Sequence, residues 1–197
     1  NSYTIDFSDL DNSGNILNQN FKFSNFHVVQ NERSVLKLKE LELGISFKPQ
    51  NFFQPVKITN IKIKDGYYYN QSDFSAFNPS FANFVDFSHN LSLSFQNFEY
   101  KKGDSNIIIN GDLFRKFQGS LIGQLSFLHD NNLSTLAFNL SEISNQFSIN
   151  LHSYEWFGLI PNYNDSSFKG LTFKLNAVGA VQQNQSIIKG SFKHEDL

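Results

Sequence analysis

The chain has 197 residues, with 16 lysines and arginines against 18 aspartates and glutamates for a formal charge of −2, and it contains no cysteine. These values exclude a disulfide framework, thiolate chemistry and cysteine-ligated metals, and because the basic residues are scattered singly, nucleic acid is not an expected partner. Hydrophobic residues make up 40% and charged residues 17%, a balance that suits one folded domain better than a membrane span or a disordered tail.

Along the chain, apolar residues alternate with polar ones in a rhythm of two that repeatedly slips by one. "IDFSDL" (5–10) is a short instance. "FKFSNFHV" (21–28) has Phe21 and Phe23 before the slip, with Phe26 and Val28 after it. "LKLKELEL" (36–43) repeats the design with Leu36 and Leu38, then Leu41 and Leu43, and "GISF" (44–47) extends the alternation. In "VKITNIKI" (56–63) the halves are Val56 and Ile58, then Ile61 and Ile63. "LSLSFQNFEY" (91–100) has Leu91, Leu93 and Phe95 ahead of the slip, and Phe98 and Tyr100 behind it. "FNLSEI" (138–143) is another short instance, with Phe138 and Leu140 before its polar pair. "GQLSF" (123–127), "FSINLH" (147–152, through Phe147, Ile149 and Leu151) and "LTFKLNAVGAV" (171–181) alternate without a slip.

Helix does not account for the slipped segments. At 100° per residue, positions 36, 38, 41 and 43 scatter around the cylinder, and the β-branched and aromatic content favours strand. A β-bulge sets two residues against one on the partner strand and so absorbs the extra residue. Placed at Ser24-Asn25, Lys39-Glu40, Thr59-Asn60 or Gln96-Asn97, it returns both apolar halves to one face and bends the strand; a short turn between three-residue strands is the alternative. Turn signals at 11–15, 30–33, 64–66, 101–106, 110–111, 129–132 and 182–185 divide the strands. Asn78-Pro79 opens a stretch where Phe81, Phe84 and Val85 fall on one stripe, so a short helix near 79–87 is expected within an insert of about 72–90. The expected fold is mainly β: a long curved antiparallel sheet of ten to twelve strands forming an open groove over residues 1–197, as one segment of a larger protein.

Chemistry has little foothold in the sequence. His27, His89, His129, His152 and His194 lie in different segments at no metal-ligand or triad spacing, so no metal site, cofactor or catalytic residue is expected and the chain does not read as an enzyme. Asp65, Asp104, Asp130, Glu40 and Glu142 sit in turns or polar pairs, where local backbone bonding is their ordinary role. Trp156, in the aromatic stretch "YEWFGLIPNY", fits a core or groove contact. The chain has no run of about 18 apolar residues. Since it begins at Asn1 without methionine, it is expected to be a processed product or an excised fragment.

The order of these features resembles the amino-terminal region of the AsmA-like proteins, closest to the YhdP type and related to TamB. The resemblance runs through "FKFSNFHVVQNERSVLKLKELELGISF", "QPVKITNIKIKDGYYY", the helix-like insert, "LSLSFQNFEYKKGDSNIIINGDLF" and "FQGSLIGQLSF". It includes a "v-x-i-x-x-l-x-i-x-d-G" pattern at Val56, Ile58, Ile61, Ile63, Asp65 and Gly66, and it continues through "LSTLAFNLSEISNQFSINLHSYEWF" and "SSFKGLTFKLNAVGAVQQNQSIIKGSF". Those proteins are far longer and carry an amino-terminal membrane anchor, which is expected to lie outside this chain. The resemblance implies a periplasmic segment of a protein anchored in the inner membrane of a diderm bacterium. It would carry phospholipids between the two membranes, with acyl chains against the apolar residues named above and membrane contact through segments outside this chain. A closed β-sandwich acting as a binding, adhesion or scaffold module is the alternative.

Overall fold

The computed structural model describes residues 3–48, 56–69, 90–102, 105–116, 119–129, 131–141, 146–154, 172–182 and 185–195. Twelve strands account for nearly all of them: β1 (Tyr3–Asp6), β2 (Asp9–Asn15), β3 (Asn18–Gln30), β4 (Arg33–Phe47), β5 (Val56–Tyr69), β6 (Leu91–Lys102), β7 (Ser105–Arg115), β8 (Ser120–His129), β9 (Asn132–Ser141), β10 (Gln146–Tyr154), β11 (Thr172–Gln182) and β12 (Gln185–Glu195). All twelve belong to one open sheet in the order β1-β3-β4-β5-β6-β7-β8-β9-β10-β11-β12, and β2 shares the outer edge of β3 with β1. The expected helix near 79–87, the rest of the insert up to residue 89, and Trp156 lie outside the described residues.

From β2 onward, neighbours in sequence pair with each other, as short connections favour, while β1 pairs with β3 beside β2. The turn Asn31–Glu32, with φ of 47 and 65°, makes a two-residue hairpin between β3 and β4, where both positions take the positive φ that a type I′ turn demands. Between β2 and β3 the turn residues are Ile16 and Leu17. These are poor turn formers, and here the Asn15 side chain holds them by accepting from the N–H groups of Leu17 and Asn18 at 3.0 Å each. The turn signal expected over 11–15 is therefore strand, and the reversal falls two residues later.

One pairing departs from the antiparallel expectation. β5 and β6 run parallel, with Asn60 opposite Ser92 and Tyr69 opposite Lys101. Parallel neighbours need a connection that returns the chain to the starting end of the sheet, and residues 70–90 supply its length.

The sheet is a single layer. The chain exposes 13374 Å², whereas a compact protein of its mass exposes about 9,500 Å². Among the described residues no second sheet covers either face, and the tightly packed side chains are few: Val35, Leu38, Leu41, Leu91, Ile107 and Ala177.

Candidate functional site

The slips decide which way the apolar residues point. In β3, Phe23 and Phe26 are on opposite sides of the slip, yet their rings meet edge to face at 5.8 Å. In β6, the Phe95 and Phe98 rings lie 5.9 Å apart with their planes tilted by 38°. Both halves of each strand therefore share a face, as the sequence implies.

The mechanism differs from isolated bulges. Between β3 and β4, Ser24 pairs with Glu40 and Phe26 with Leu38, so Asn25 and Lys39 are passed over together. Leu38–Gly66 and Glu40–Lys64 then flank Lys39 and Asp65 in the same way, and Lys64–Gln96 and Gly66–Phe98 flank Asp65 and Asn97. The step becomes two residues against one only at β6–β7, where Gln96 and Asn97 face Asn110. A crease thus crosses five strands in one row.

Three residues of that row, Asn25, Asp65 and Asn97, hold φ of 51, 47 and 49°. Asn and Asp tolerate this left-handed conformation because their short side chains bond locally. Here they do so along the crease. Asn25 Nδ2 donates to Ser8 Oγ at 2.9 Å, and Asn97 Nδ2 donates to Asp65 Oδ1 at 3.1 Å. The Asn97 N–H donates to Asn110 Oδ1 at 2.7 Å, and Lys39 Nζ lies 3.8 Å from Asp65 Oδ2. "KDG" and "NG", read as turns, are therefore mid-strand crease residues. Separate two-against-one irregularities sit at Thr59–Asn60 opposite Gly44, as expected, and at Val35, which the alternation did not reveal.

With the crease in place, cross-strand pairs tile one face with apolar side chains. Phe23–Leu41 and Phe26–Leu38 pair across β3–β4, Leu41–Ile63 and Leu43–Ile61 across β4–β5, and Ile61–Leu93 and Ile63–Phe95 across β5–β6. Phe21 faces Leu43, Val28 faces Leu36, and Ile58 and Val56 face Ile45 and Phe47. Further on, Tyr100 faces Ile107, Leu91 extends the β6 row, Phe138 and Leu140 face Ile149 and Phe147, and Leu151 faces Leu136. The register thus places all of the expected lining residues on one face, with Leu38 the most deeply packed and Val56, Ile58 and Leu140 exposed.

Sequence reading missed Ile107, Ile109 and Leu113 of β7, because taking Asn110-Gly111 for a turn cut that strand in half; Gly111, at φ 131°, instead continues it. Leu125 and Phe127 were legible as alternation, and they join the same face through β7–β8, as Leu136 does through β8–β9.

On β3 to β6 the opposite face is polar and charged, whereas on β7 to β9 it also carries apolar side chains, with Phe114 beside Ile122 and Ile108 beside Leu128, which faces Leu133. Lys22 and Glu40 meet at 2.7 Å, and Lys62 and Glu42 at 3.5 Å. The Lys22 contact holds the Glu40 carboxyl below its ordinary value and raises Lys22. His27 Nε2 lies 2.7 Å from Ser34 Oγ, which is 3.2 Å from Tyr67 Oη, a polar chain tying β3, β4 and β5 together. Lys101 sits 4.7 Å above the Tyr67 ring. Among the described residues, no group of three or more His, Asp or Glu side chains is placed to hold a metal ion, and no helix is long and apolar enough to cross a membrane. Comparison with protein-family models, curated proteins and solved structures gave no match to this chain.

Proposed function

We propose that the chain is a lipid-holding segment of a longer envelope protein, its apolar face receiving the acyl chains of phospholipids that pass between membranes without chemical change. The observation that carries this reading is the continuous apolar face: slipped alternation, corrected from β3 to β7 by a shared crease, lays apolar residues side by side from β3 to β11, and from β3 to β6 the other face is polar and charged. Each methylene taken from water is stabilised by about 0.8 kcal/mol, so a 16-carbon chain exposed to water costs on the order of 10 kcal/mol. A continuous apolar floor lowers that barrier at every position along its length. Nine strands at about 4.8 Å spacing give a floor roughly 40 Å long, enough for acyl chains but short of the distance between two membranes. That length suits one section of a longer conduit, in a periplasmic protein anchored in the inner membrane.

The direct test is organic extraction of the purified chain followed by mass spectrometry. Co-purifying phospholipid is expected, and its absence, with no uptake from added vesicles, would sink the reading. Phe95→Asp, at the centre of the floor, should abolish lipid occupancy while the protein still expresses; retention of normal lipid would show that the acyl chains lie elsewhere.

A further inference from the structure

One end of the apolar face is not apolar. Gln30 continues the β3 alternation of Phe26 and Val28, so its amide belongs to the apolar side, where it is 3% exposed and its Nε2 has no hydrogen-bond partner. A buried amide donor left unmatched carries a desolvation penalty, and such groups are rare enough in folded proteins to require a reason. Tyr3 pairs with Gln30 across β1–β3. One step inward, Val28 faces Leu36, Leu36 faces Tyr68, and Tyr68 faces Tyr100, with the two tyrosine rings 6.0 Å apart. Burial, reinforced by Tyr100 and Tyr3, raises the Tyr68 phenol above its ordinary value, so at neutral pH it remains an O–H donor.

The tyrosines are distributed with the same bias. Of seven in the chain, six lie in described strands at this end of the sheet, and Tyr3, Tyr68 and Tyr100 share the face of Gln30, while Tyr67 and Tyr69 stand on the polar face. The far ends of β5 and β6 carry Val56, Ile58, Leu91 and Leu93 on that face instead, with Arg115 of β7 opposite Leu91. A ring against hydrocarbon with its hydroxyl toward water is how tyrosine sits at a lipid–water boundary.

We infer that this end receives the oxygen-rich part of a glycerophospholipid, with Gln30 and the phenols of Tyr3, Tyr68 and Tyr100 donating to its ester and phosphate oxygens. Its acyl chains then lie on the Phe26–Leu38–Phe98 floor. The inference rests on the lipid reading of that face and adds to it a fixed orientation and a ligand class. Ester and phosphate oxygens accept hydrogen bonds, which is what an unmatched amide N–H and phenolic hydroxyls offer.

The test uses two photoreactive phosphatidylcholines, one with a diazirine in the headgroup and one with it at the end of an acyl chain, and maps the labelled peptides by mass spectrometry. The headgroup probe should label peptides around Tyr3, Tyr68 and Tyr100, and the acyl-end probe those around Leu41 and Phe95. Gln30→Leu should bind phosphatidylcholine about tenfold more weakly, the loss of one hydrogen bond. It should bind N-phenyl-1-naphthylamine, an apolar dye without ester or phosphate, as the parent does. Tyr68→Phe combined with Tyr100→Phe, which keeps both rings, should show the same split. Headgroup labelling that is uniform or at the Leu43–Val56 end, or undiminished phosphatidylcholine binding in both variants, overturns the orientation while leaving the lipid face intact. No labelling by either probe and no dye binding overturns both.

Discussion

Asn97 offers the sharpest test of how the sheet is bent. It holds φ at 49° in the middle of β6, accepts no regular ladder position, and donates from Nδ2 to Asp65 at 3.1 Å. The left-handed conformation costs an ordinary L-residue about 1–2 kcal/mol, and the side-chain bond, exposed as it is, contributes about 0.5–1 kcal/mol. Asn97→Ala loses both and should destabilise by roughly 1.5–3 kcal/mol. Asn97→Gly loses only the bond and is free of the φ penalty, so it should stay within about 1 kcal/mol of the parent. Asn97→Val should be at least as damaging as Ala, because a β-branched residue is a worse occupant of positive φ. The strand cannot escape by straightening, since removing the step would turn Phe98 and Tyr100 to the polar face. Urea unfolding midpoints, compared at unchanged m-value, give the three differences. If Ala and Gly are equally destabilised, or Val matches the parent, the backbone at Asn97 is not the constraint and the account of the crease fails.

Three further outcomes follow from neighbouring residues. Gly66 packs against β4 so closely that an added Cβ would lie 2.7 Å from both Cα and Cδ2 of Leu38 and against the Lys37 carbonyl, so Gly66→Ala should cost about 1–3 kcal/mol by overpacking, read by thermal unfolding; a neutral effect would mean that the two strands separate easily there. Leu38, 1% exposed, should cost about 2–5 kcal/mol when truncated to Ala, whereas a loss below 1 kcal/mol would show that the floor is not packed in solution. The Glu40 carboxyl, held below its ordinary 4.5 by Lys22, contributes stability that is complete above pH 4.5 and disappears as pH falls through the lower folded value. Relative to Glu40→Gln, the parent should therefore lose stability only below about pH 4.5, and parallel pH profiles would show the contact to be absent.

The face was legible in the sequence because a two-residue period that breaks and resumes leaves only two options, a reversed face or an absorbed residue, and the Phe23–Phe26 and Phe95–Phe98 contacts show the second. Asp65-Gly66 and Asn110-Gly111 misled for a definite reason. Positive φ is needed in a hairpin turn and in a mid-strand crease alike, and Asn, Asp and Gly supply it in both. Strand direction was hidden too, because alternation is the same read from either end, so β5 and β6 could not be recognised as parallel. Gln30 was missed because its meaning lies in having no partner, which only three-dimensional placement reveals.

The repetition of the slip has its own explanation in the pairing. A step in one strand breaks the hydrogen-bond ladder on both sides unless the neighbours step in the same row. Asn25 therefore requires a matching break at Lys39, Lys39 one at Asp65, and Asp65 one at Asn97. The sequence shows slips in β3, β4 and β6 at these positions, and β5 meets the requirement with Asp65-Gly66, placing a glycine where Leu38 approaches. At β7 the step ends as two residues against one, with Asn110 accepting from the Asn97 N–H. From there, the β7–β8, β8–β9, β9–β10 and β10–β11 registers run without a shift. The irregular spacing of the motif along the chain thus reflects a regular spacing across the sheet: one row of residues, met once in each strand.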